Sequence, residues 1–81
     1  MTRHDERTWQ EIRQQAEDSQ AAAERTGTEN GYLQAGAIWE ICAEAARRAG
    51  NELAERQAFM ALDEMVDRAC SAHNQAKGQR T

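Results

Sequence analysis

Proline is absent from this chain of 81 residues, and its five glycines stand at Gly27, Gly31, Gly36, Gly50 and Gly78. Proline and glycine are the strongest local breakers of regular structure. A chain without the first, with the second set between stretches rich in alanine, glutamate, glutamine and arginine, is confined to an all-α fold. The spacing predicts three helices over about residues 5–26, 30–49 and 51–73, in a single helical domain, with 74–81 a frayed polar tail.

The start of helix 1 carries a capping box, Thr8-Trp9-Gln10-Glu11, in which a hydroxyl and a carboxylate satisfy backbone donors reciprocally. Asp5 offers an alternative, earlier cap. Trp9, Ile12, Ala16, Ser19 and Ala23 then recur on one helical face. Gly27 suits the left-handed position that closes helix 1, and Thr28 or Asn30 can cap helix 2. Helix 2 aligns Ala35, Ile38, Cys42, Ala45 and Ala49, and helix 3 aligns Phe59, Leu62, Met65, Val66, Ala69 and Cys70. At 100° per residue these last two stripes differ in phase by roughly 120°. A straight helix through Gly50 would aim them at different neighbours, so a turn is expected there, with Asn51 as the next cap and helices 2 and 3 forming an antiparallel hairpin. Gly36 falls inside helix 2, where a missing side chain lets another backbone approach. Glu44–Arg48, Glu52–Arg56 and Glu64–Arg68 are expected i,i+4 pairs on solvated faces.

Large apolar side chains are few. Trp9, Ile12, Ile38, Leu62 and Val66 are the expected core. A core this thin predicts that a second chain completes it, because domains of this size commonly recruit a disulfide, a metal or a partner. Tyr32 and Trp39 lie on the shoulder of the helix 2 stripe, and Met60 and Met65 add adaptable apolar surface. These residue types are enriched at interfaces, which makes Tyr32, Trp39, Met60 and Met65 the candidate contact residues. The shoulder has a second use, packing beneath helix 1 beside Trp9.

A formal charge of −4, with nine arginines and one lysine dispersed along the chain, weighs against a nucleic-acid footprint. The alternative is a dimer that gathers Arg3, Arg7, Arg13 and Arg25 of helix 1 into a local basic face. No apolar run approaches the ~20 residues of a membrane span, and the two cysteines, with no apolar export segment ahead of them, read as reduced thiols of a cytoplasmic protein. Sixteen alanines and the preference for arginine over lysine suggest a GC-rich bacterial, plasmid or phage genome.

Chemistry-bearing constellations are sparse. Cys70 and His73 share one helical turn, but a structural zinc site needs four ligands, so Cys42 and His4 would have to join them. Neither cysteine stands at a helix N-terminus that would lower its pKa for nucleophilic work. No Glu-x-x-His pair supports di-iron chemistry. Glu40 and Glu44 on helix 2, with Glu64 and Asp67 on helix 3, are the one carboxylate set that could hold magnesium.

Glu64-x-x-Asp67 resembles the second motif of the MazG-like all-α nucleotide pyrophosphohydrolases, which pair Glu-Glu-x-x-Glu on one helix with Glu-x-x-Asp on a later one. The first motif departs from that pattern: Trp39 stands where a glutamate belongs, and the Glu40–Glu44 spacing is one residue too long. The resemblance, over about thirty residues, implies magnesium-dependent release of pyrophosphate from nucleoside triphosphates. The residues by themselves favour a non-enzymatic interaction or regulatory module without a cofactor, acting through protein contacts as a homo-oligomer. An acidic inhibitor that offers carboxylates to a partner's basic groove is a related reading.

Overall fold

The computed structural model describes residues 8–78, which form three helices: α1 (Trp9–Thr26), α2 (Glu29–Arg48) and α3 (Glu52–Gly78). The caps explain where each begins. Thr8 Oγ1 accepts the Glu11 N–H at 3.3 Å while the Glu11 carboxylate accepts the Thr8 N–H at 3.0 Å, closing the expected box. Thr28, rather than Asn30, caps α2 by accepting the Gly31 N–H at 3.1 Å. Asn51 Oδ1 accepts the Ala54 N–H at 3.0 Å at the head of α3. The alternative Asp5 cap lies outside the described residues, and helix 1 starts at Trp9, not near residue 5.

The joints are equally local. Gly27 and Gly50 hold positive φ angles of 66° and 77°, which side-chain-bearing residues rarely adopt. The Asn51 N–H reaches back to the Ala46 carbonyl at 2.9 Å and the Gly50 N–H to that of Arg47 at 3.0 Å, so the last carbonyls of α2 are used. The chain therefore turns at Gly50. At the far end α3 runs on to Gly78, so the polar segment expected to fray after residue 73 is helical as far as it is described.

α2 is the central helix: it packs against both α1 and α3, which touch each other only marginally. The molecule is flat and long, 57 × 22 × 14 Å. The register of α2 on α3 follows from two contacts. Glu29 lies 3.1 Å from His73 at one end, and further along a Cβ on Gly36 would come within 3.2 Å of Leu62 Cδ1.

The seams between helices are made of small residues. Eight of the twelve buried apolar residues described are alanines, joined by Ile12, Trp39, Cys42 and Met65. Alanine has the highest helix propensity and lets helix axes approach closely. That close approach moves the bulkier side chains off the contact lines. Of the expected core, Ile12 is buried and Trp9, Ile38 and Leu62 are half-buried, whereas Val66 is 46 % exposed. The buried line of α3 is Ala54, Ala58, Met65 and Ala69, and Phe59, Val66 and Cys70 lie outside it. Among the described residues no helix is long and apolar enough to cross a membrane.

Candidate interaction surface

The four expected contact residues divide. Met60 is 66 % exposed and Tyr32 half-buried, but Trp39 and Met65, at 6 % and 0 %, belong to the core of the chain. Trp39 Nε1 donates to Gln20 Oε1 at 3.0 Å, so the indole meets α1 with its polar edge satisfied. Among the described residues no buried side-chain polar atom lacks a partner. Contact with another protein through Trp39 or Met65 would require the helices to separate first.

The apolar surface is carried by other side chains. Leu33 and Ile41 of α2, with Leu53, Phe59, Met60 and Val66 of α3, are the exposed large hydrophobics. The register set by Glu29–His73 and Gly36–Leu62 brings Leu33 level with Val66. Helical periodicity turns both, with half-buried Leu62, toward the side of the α2–α3 layer facing away from α1. Phe59 follows on the same side, two turns or ~10 Å from Val66 along α3.

The two ends of this face differ in charge. Phe59 borders two shallow depressions. One, of about 230 Å³, is lined also by Glu40, Glu44, Arg47 and Glu55. The other, of about 330 Å³, is lined also by Glu52, Glu55, Arg56, Met60 and Asp63. Glu44 is engaged by Arg48 at 3.0 Å. The expected Glu52–Arg56 pair does not form, whereas Glu64–Arg68 does, at 2.6 Å. Arg68 also binds Glu24 of α1 at 2.6 Å, and this hydrogen bond pushes the guanidinium pKa up. On exposed side chains such pairs hold geometry more than they stabilise.

Among the described residues the other constellations do not assemble. Glu40 and Glu44 border the Phe59 depression, whereas Glu64 is tied to Arg68 on the side of α3 nearer α1. Asp67 is exposed, one residue on from Val66. Among the described residues no group of three or more histidine, cysteine, aspartate or glutamate side chains is arranged to hold a metal ion. Cys42 is buried, with its thiol donating to the Trp9 carbonyl at 3.5 Å, while Cys70 is exposed and His73 faces Glu29. His4, Arg3 and Arg7 lie outside the described residues, and Arg13 is paired with Glu17 at 3.2 Å.

Burial pushes the Cys42 thiol pKa up, while a nearby Arg13 opposes the shift. Its neutral form is thus favoured by folding, and this contribution to stability is whole below the ordinary thiol range of about 8.5 and lost as pH rises through the higher folded value. Native protein treated with a disulfide reagent near pH 8 is expected to release one equivalent of thiol promptly, from Cys70, and the second only in denaturant. Prompt reaction of both would show that the α1–α2 seam opens readily.

Size alone does not mark Leu33, Phe59 and Val66 as surface residues. The usable signal was the alanine line: Ala54, Ala58 and Ala69 share a face with Met65, which leaves Phe59 and Val66, seven residues apart, on its shoulder. Compared with known proteins, the chain matches no family model, no curated protein and no solved structure.

Proposed function

We propose that this protein is a non-enzymatic interaction module of regulatory type, in which α2 and α3 act as an antiparallel hairpin that pairs with a second copy of the chain. The observation that carries this reading is the inversion of size between inside and outside: alanines fill the seams while Leu33, Phe59 and Val66 stand exposed on one face. A small protein gains by covering such a surface, since each large apolar side chain removed from water contributes about 1.5–3 kcal/mol. The Leu33–Val66 end suits a two-fold contact. In that arrangement each patch meets its own copy, and here the patch centre is apolar.

Sedimentation or light scattering tests the reading. The wild-type protein should show twice its chain mass of 9.1 kDa at micromolar concentration. Val66→Glu should return the single-chain mass with unchanged far-ultraviolet dichroism, because Val66 is already half in water. A wild-type protein that stays at 9.1 kDa up to millimolar concentration would overturn self-association.

A further inference from the structure

The charged end of the same face is built for a different occupant. Glu40, Glu44, Glu52, Glu55 and Asp63 surround Phe59, against Arg47 and Arg56. Glu40, Glu52, Glu55 and Asp63 have no ion-pair partner among the described residues, and Glu44 is paired with Arg48. Glu11 and Asp18 of α1 and Asp67 of α3 also lack an ion pair among those residues but line neither of these depressions. Five carboxylates against two lining guanidiniums thus gather where an aromatic ring stands half-exposed between two depressions. Glu52 and Glu55 also suit the first turn of α3, where the helix dipole favours acids. Glu40 and Asp63 sit in helix interiors and gain nothing from that dipole.

A second copy is a poor occupant. A two-fold contact centred on Phe59 would lay this acidic rim on its own image, and like charges brought together in an interface cost affinity. We propose that the Phe59 end docks a basic amphipathic helix of a heterologous protein. Its bulky apolar side chain would lie against Phe59 and Met60, and flanking lysines or arginines would meet the carboxylates. Helices laid with their apolar face on a hydrophobic surface are a recurrent recognition mode, and charge complementarity of this kind gives fast, salt-sensitive association. This inference deepens the interaction-module reading and rests on it, adding a partner chemistry and a second contact beside the Leu33–Val66 patch.

The test is an NMR titration of the isotope-labelled protein with a synthetic helical peptide carrying leucines on one face and lysines beside them. A matched peptide with glutamates in place of the lysines is the control. The lysine peptide should shift the amides around Glu40, Glu55, Phe59 and Met60, and the glutamate peptide should not. Phe59→Ala should weaken binding about tenfold or more, the scale of one buried aromatic anchor. The double variant E55Q/D63N should weaken it and flatten its salt dependence. Phe59 is half-exposed, Glu55 half-buried with no ion-pair partner among the described residues and Asp63 exposed, so dichroism should report unchanged folding in each variant. Shifts spread over the acids of α1, or affinity indifferent to Phe59→Ala, would overturn the proposal, and so would no binding at all.

The two readings fail separately. Val66→Glu should abolish the doubled mass and leave peptide binding intact. A wild-type monomer that binds the lysine peptide would end self-association only, and a dimer that ignores the peptide would end the docking site only.

Discussion

Trp39→Ala is expected to unfold most of the protein. The ring is buried among alanines and anchored to Gln20, so its removal leaves a cavity that short side chains cannot fill. Truncating a buried tryptophan costs about 3–5 kcal/mol, comparable to the whole stability of a small domain. Urea titration followed by helical dichroism should show a midpoint near zero denaturant. Trp39→Phe should do far less harm, about 1 kcal/mol for the lost hydrogen bond, with some added loss of packing. The outcome that would restore Trp39 as a contact residue is a helical, stable Trp39→Ala protein that has lost only its ability to associate.

Met65→Ala is the second large effect. Met65 is among the largest side chains that are fully buried, and its Cβ lies where a Cβ on Gly36 would meet it at 3.5 Å. Deleting a buried methionine side chain costs about 2–5 kcal/mol. Met60→Ala, five residues earlier on the same helix, should change stability by no more than about 0.5 kcal/mol, because Met60 is mostly in water. Comparing the urea midpoints of the two variants checks the phase of α3 directly: equal losses would mean the helix is rotated from the orientation described here.

These two methionines show how much of the fold could be read from the sequence. The helix termini were legible because each is a local event: a hydroxyl or amide three residues before a backbone donor, or a glycine where φ must be positive. Thr8, Gly27, Gly50 and Asn51 all act at such points. Choosing Thr28 over Asn30 and extending α3 to Gly78 depend on the surrounding structure.

The faces were harder to read. Apolar size puts Val66 inside, and the adaptable character of methionine puts Met60 and Met65 together outside. Which one is buried depends on how closely α2 and α3 approach, and Gly36 and the alanine line set that distance only once the helices are docked. The Phe59 surroundings were hidden for the same reason. Glu40 and Glu44 are far from Glu55 and Asp63 in the chain, and it is packing that gathers them around one ring. The Glu64–Asp67 motif could be seen in sequence, but the packing points Glu64 at Arg68, away from Glu40 and Glu44.

The alanine seams also set how the protein responds to temperature. Heat capacity rises on unfolding in proportion to the apolar surface exposed, and a seam of methyl groups exposes little. The heat-capacity increment per residue should fall below the usual 12–15 cal/mol/K, and the denaturant slope, which scales with the same surface, should be small as well. Such a protein has a shallow stability curve, so its melting transition is broad and its resistance to cold is greater than its modest core would suggest.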